Sequence, residues 1–149
     1  MALFDQIKSD VVASLKARDM DKANILRFLQ SQLQSAMKDK QGEGKEPILD
    51  DPEVISILQK EGKKRKESIQ LYTDASRPEL VEKEQAELSI IESYLPKQMD
   101  DAAIQAVIDE IHASGITDFG AFMKAASEKT KGQADGRRVA ELVKQKLQA

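Results

Sequence analysis

Asp51-Pro52-Glu53-Val54-Ile55-Ser56-Ile57-Leu58 and, further on, Ser76-Arg77-Pro78-Glu79-Leu80-Val81 are the stretches that decide the fold. In the first, Asp51 stands as a capping acid before a proline at the first helical position, with Glu53 as a second acid in the first turn, which together start a helix. Val54, Ile55 and Leu58 give that helix an apolar face. The face thins at Gly62 and the run Lys63-Lys64-Arg65-Lys66, then resumes at Ile69 and Tyr72. Read as continuous, the helix reaches roughly 37 Å at about 1.5 Å per residue. Ser76-Arg77 interrupts it and Pro78 begins another, lined by Leu80, Val81, Leu88 and Ile91. Tyr94-Leu95-Pro96 closes this one, because a proline cannot continue the hydrogen-bond ladder.

Working outward, Phe4, Ile7, Val11 and Leu15 recur at three- and four-residue steps and trace the face of a first helix. Ile25, Leu26, Leu29, Leu33, Ala36 and Met37 trace a second, joined to it by the short Arg18-Asp19-Met20 connection. Residues 41–47, with two glycines and a proline, read as an exposed flexible loop. Beyond Asp100, Ile104, Val107, Ile108 and Ile111 define a fifth helix ending at Ser114-Gly115. Asp118 caps a sixth with Phe119, Phe122, Met123 and Ala126 on its buried face, and Asp135 caps a seventh carrying Val139, Leu142, Val143 and Leu147. The expected fold is all-α. Residues 1–96 form an N-terminal domain of helical hairpins with one long helix, and residues 97–149 form a small three-helix bundle.

Composition bounds what such a chain does. Its 149 residues are 40% hydrophobic, 33% charged and only 4% aromatic, which suits helix-on-helix packing around aliphatic side chains. The absence of Cys removes disulfides, thiolate nucleophiles and Cys-ligated metals. The start Met1-Ala2-Leu3-Phe4-Asp5 lacks the basic and apolar regions of a signal peptide, so a cytoplasmic location is expected. A net charge of -3 means that affinity for nucleic acid has to come from a local basic patch.

Catalytic chemistry finds little footing. His112, the single histidine, sits near a helix end beside Asp109 and Glu110, where a surface role fits it best. Glu82, Glu84 and Glu87 are the best material for a carboxylate site. Lys83 and neighbouring arginines point instead to ion pairing. No serine lies in a Gly-x-Ser-x-Gly elbow, and neither glycine-containing segment has phosphate-loop spacing. The sequence therefore predicts no catalytic residue, no cofactor and no metal. What remains is basic charge. Lys60, Lys63, Lys64, Arg65 and Lys66 spread around one helix and read as a solvated face buffered by Glu61 and Glu67. From Asp118 onward seven cations face four acids. The turn Lys129-Thr130-Lys131-Gly132-Gln133-Ala134-Asp135-Gly136-Arg137-Arg138 also sets helix-start N–H groups beside cationic side chains. Such a turn either holds phosphate or is a glycine-capped link whose lysines only solubilise.

Three further segments carry a resemblance. Arg65-Lys66-Glu67-Ser68-Ile69-Gln70-Leu71-Tyr72, the run from Arg77 through Glu84 to Glu87-Leu88, and Tyr94-Leu95-Pro96-Lys97-Gln98-Met99 are similar to the central signature of the GatB/YqeY family. Lys131-Gly132-Gln133-Ala134-Asp135-Gly136 resembles its C-terminal motif, although the related amidotransferase tail commonly has asparagine-proline where this chain reads Asp135-Gly136. The resemblance spans the chain from first helix to last. It implies a three-helix unit shared with the tail of the GatB subunit of the glutamine-dependent aminoacyl-tRNA amidotransferase, a tail that helps engage tRNA. It also implies a carbon–nitrogen ligase label with glutamine as amido donor, whose catalytic parts lie in other domains and subunits. The expectation is a non-catalytic accessory module binding tRNA or another structured RNA through Lys129, Lys131, Arg137 and Arg138. A protein-interaction adaptor is the alternative, and a ligase-associated enzyme a third. Salt separates the first two, since phosphate contacts weaken steeply as salt rises.

Overall fold

The computed structural model describes residues 2–149, which form seven α-helices and no strand, the all-α fold expected. They are α1 (Leu3–Lys16), α2 (Met20–Gly42), α3 (Asp51–Asp74), α4 (Pro78–Glu92), α5 (Asp101–Ala113), α6 (Phe119–Thr130) and α7 (Gly136–Gln148). The chain divides into two compact units, Met1–Leu95 and Pro96–Ala149, each with its own apolar core.

In the first unit α1 packs against α2 and α3 against α4, and the two pairs share one core. Ile7, Leu26, Leu33, Val54, Leu58 and Ile91 are fully enclosed there, each such burial contributing about 1.5–3 kcal/mol. The start of α3 differs from expectation by one residue. Asp50, not Asp51, is the cap, because the reciprocal pairing needs a glutamate three residues on and Glu53 supplies it: Asp50 accepts from the Glu53 N–H and Glu53 accepts from the Asp50 N–H, both at 2.9 Å. Asp51 is thereby released to accept the Leu3 N–H at 2.9 Å, an orphan donor of α1 whose own N-cap, Ala2, offers no side-chain acceptor.

Helix α2 runs to Gly42, into the stretch expected to be loop. Lys40 explains the extension, since its ammonium reaches forward to the Ile48 carbonyl at 2.6 Å and to Glu53 at 2.9 Å, tying the last turn to the start of α3. Leu49 is buried, so the connection is anchored at both ends. Leu15, assigned to the apolar face of α1, is 41% exposed, and Ser14 takes the inward position. The ends of α1 and α3 both turn through a non-glycine residue at positive φ: Arg18 at 58° and Ser76 at 55°. At Ser76 the Arg77 N–H bonds back to the Tyr72 carbonyl at 2.9 Å, the six-to-one bond of a Schellman ending.

The second unit is α5, α6 and α7 around Ile104, Ile108, Phe122, Ala126, Val139 and Val143. Aspartates cap all three helices: Asp100 accepts from Ala103, Asp118 from Ala121 and Asp135 from Arg137. One expected core residue is not there. Phe119 is 42% exposed, because it is the first residue of α6, where a side chain overhangs the end of the bundle. The segment before α5 is held against the α6–α7 turn: the Gln98 side-chain amide donates to the Gly132 carbonyl at 3.1 Å and the Met99 N–H to the Gln133 carbonyl at 2.7 Å. Gly132, at φ 79°, makes that turn without steric cost.

Candidate functional site

Two places gather charge, one in each unit, and they differ in how completely the charge is matched. In the first, Arg65 of α3 lies among three glutamates. Its Nε is 3.0 Å from Glu87 and 3.5 Å from Glu84, both on α4, and its Nη1 is 3.6 Å from Glu61 one turn back on α3. Lys64 takes the other Glu61 oxygen at 3.1 Å, and the Phe28 ring faces the guanidinium at 5.2 Å. Glu61 is only 3% exposed. Lys60, Lys63, Lys64 and Lys66 are exposed, as the solvated-face reading expects, and Arg65 alone departs from it, turning inward because carboxylates on two helices surround it. Pairing of Glu84 and Glu87 to an arginine is what the geometry gives. The guanidinium fills the centre, so the cluster is a clamp between α3 and α4.

Other signature residues are also structural. The Tyr94 hydroxyl donates to Asp10 of α1, and Leu95 packs on the same core. Burial foremost, then that hydrogen bond, pushes the Tyr94 hydroxyl above its ordinary range. Pro96 begins the second unit, Gln98 and Gly132 are bonded to each other, Asp135 is a cap, and Gly136 opens α7. Ser68 is half-buried on α3. Tyr72 and Arg77 line an open groove of about 720 Å³ at the α3–α4 turn, together with Pro78, Val81 and Ala86.

In the second unit the four predicted nucleic-acid cations separate into two kinds. Arg138 is engaged by Asp101 of α5 at 2.6 Å and by Glu141 at 2.9 Å, and Lys129 by Glu110 of α5 at 3.2 Å. Lys146 likewise reaches Asp109 at 3.1 Å. The Arg138 bonds hold the Asp101 carboxyl below its usual range, and the Gln105 amide and Lys146 do the same for Asp109. The side of the bundle toward α5 is thus neutralised. Among the described residues Lys97, Lys124, Lys131, Arg137 and Lys144 have no carboxylate partner within ion-pair distance. Arg137 and Lys144 are seven apart on α7 and share a face. That face meets α6, since the Lys144 ammonium stands 5.9 Å from the centre of the Phe119 ring.

Of the two readings of the turn before α7, phosphate seat or glycine-capped link, the local charge bears on the first. Asp135 already places a carboxylate there, accepting the Arg137 N–H at 3.1 Å, so an anion at this helix start would meet like charge. The nearness of Lys144 to an exposed Phe119 is what sequence reasoning did not single out. The seven-residue spacing of Arg137 and Lys144 was the available signal for Lys144, and nothing in the local pattern distinguishes Phe119 from a core aromatic.

No helix among the described residues is long and apolar enough to cross a membrane. The family described as Yqey-like protein matches residues 4–147. An uncharacterised protein of Schizosaccharomyces pombe is 31% identical over 91 residues, covering 61% of this chain and 70% of that protein. The altered inheritance of mitochondria protein 41, mitochondrial, of Pyrenophora tritici-repentis is 28% identical over 92 residues, covering 62% of this chain and 48% of that one.

Proposed function

The chain belongs to the YqeY-like protein family, and from that premise we propose that it is a non-catalytic accessory module whose C-terminal unit binds tRNA or another structured RNA. The observation that carries the reading is the division of cations in that unit. Lys129, Arg138 and Lys146 are matched by acids of α5, which leaves Lys97, Lys124, Lys131, Arg137 and Lys144 unmatched, the last three available to neutralise phosphate along the α6–α7 side. A chain with net charge -3 binds RNA only through such a patch.

The test is tRNA binding measured across a salt series. Replacing Lys131→Ala and Arg137→Ala together removes two phosphate contacts and flattens the slope of log affinity against log salt by about 1.4 on single strands to about 1.8 on duplex. Arg138→Ala changes the slope less, since its charge is already answered by Asp101 and Glu141. No tRNA binding by the parent protein at low salt removes the RNA reading.

A protein-interaction adaptor is the second reading, favoured by the open groove at the α3–α4 turn and by Leu71 beside it, which is 68% exposed. A partner captured equally with and without nuclease treatment, and lost on Leu71→Asp, supports it. The carbon–nitrogen ligase label has no such support in the side chains described above. The pure protein is expected to release no ammonia from glutamine, and sustained release abolished by a point change in this chain would overturn that.

A further inference from the structure

We propose that Phe119 and Lys144 form a stacking platform for one unpaired base, so that the RNA bound by the C-terminal unit is held at a single-stranded or looped segment. The proposal rests on the RNA reading above and deepens it. Phe119 is the first residue of α6, and 42% of it is open to solvent, whereas Phe122 one turn on is fully enclosed. The core of this unit therefore does not need the Phe119 ring. Lys144 crosses from α7 to stand 5.9 Å from the ring centre, with no carboxylate partner among the described residues. The Asp118 carboxylate next door is turned to its own helix, accepting the Ala121 N–H at 2.9 Å.

An exposed ring beside an unmatched ammonium suits a nucleotide in particular. The base stacks on the open area of the ring, and the ammonium meets the attached phosphate. Every base has a π-face, so the platform reads no sequence. It does read strandedness, because a base inside a duplex is already stacked on its neighbours. Lys131 ends α6 at its far end, about 18 Å from Phe119 along a helix of 12 residues. Arg137 lies on the same face of α7 as Lys144. A strand whose base rests on Phe119 thus has further cations along the α6–α7 side to follow.

The experiment uses the full chain and three labelled probes of equal length: an oligouridylate, the corresponding abasic ribose-phosphate strand, and a blunt RNA duplex. Phe119→Ala is expected to weaken oligouridylate binding roughly 5- to 100-fold, as loss of one stacked base does. It should leave the abasic strand, the duplex and the salt slope unchanged. Phe119→Tyr should bind oligouridylate as the parent does. Phe119→Leu keeps apolar bulk without a π-face, so it should show the loss even if the alanine variant folds poorly. Lys144→Ala should instead flatten the salt slope on all three probes by about 0.7–0.9. If the parent binds oligouridylate and Phe119→Leu binds it equally, the platform is wrong while the RNA reading stands. Lysine covering an exposed ring is then the whole meaning of the contact. A loss of equal size on the abasic strand also overturns stacking. If the parent binds none of the probes and no tRNA, both readings fall.

Discussion

Tyr94 joins the end of the first unit to Asp10 of α1 through its hydroxyl, and its environment makes that link pH-sensitive. Burial, with the hydrogen bond behind it, raises the hydroxyl above the ordinary value of 10.0, so the folded protein keeps a proton that the unfolded chain releases. The stability this confers is complete below pH 10 and drains away as pH rises beyond it. Tyr94→Phe should flatten the alkaline limb of a denaturation-against-pH profile. It should also cost about 1.5 kcal/mol near neutrality, the low end for a hydrogen bond to a charged acceptor that keeps some contact with water. A second prediction concerns Ser76, held at φ 55° by the α3–α4 turn. Ser76→Gly relieves a left-handed conformation that costs about 1–2 kcal/mol and incurs part of that as extra chain entropy, for a net gain near 0.5–1 kcal/mol in chemical denaturation. Legibility ended at this scale. Two consecutive aspartates both satisfied the helix-start pattern, and only the spacing to Glu53 separates the cap, Asp50, from the residue that reaches Leu3.

Among elements, the α3–α4 pairing depends on the Arg65 clamp. Removing Arg65 leaves Glu84 and Glu87 unmatched, which costs about 3–5 kcal/mol for a buried pair, and the lower end applies because both retain some water contact and Glu61 keeps Lys64. Arg65→Ala should therefore destabilise the protein by about 3 kcal/mol in denaturant titration. Arg65→Lys should recover only part of this, because a compact ammonium cannot keep the Nε–H bond to Glu87 while staying within ion-pair distance of Glu61 and Glu84 as the broad guanidinium does. Equal stability of both variants and the parent would show that the apolar contacts of α3 and α4 suffice. Helix identities were readable because each has a capped start and a three-to-four-residue apolar rhythm. The end of α2 was not, because the Lys40 anchor joins residues of the helix, loop and next helix that no local pattern relates. The inward turn of Arg65 was hidden for the same reason, its partners lying 19 and 22 residues away.

For the whole molecule, the two apolar cores have no residue in common. A fragment of residues 96–149 should accordingly keep a helical circular-dichroism spectrum and melt cooperatively, though at modest stability for so short a chain. A fragment without a cooperative transition would contradict a self-sufficient core. The excess of positive charge from Asp118 onward was plain in the sequence, but which of those cations stay unmatched was not. Whether a lysine is answered by an acid depends on which helix faces it, and α5 supplies those acids from twenty or more residues upstream to Lys146 and Arg138. Phe119 looked like core because its spacing to Phe122 and Ala126 is helical, and burial at a helix's first residue is decided by what lies beyond the end. The amide bond from Met99 to Gln133 has a practical consequence. Its proton exchanges with solvent only when the segment before α5 parts from the α6–α7 turn, so a strand settling on Lys131 and Arg137 should slow that exchange, giving occupancy of the patch a spectroscopic clock at a residue that touches no ligand.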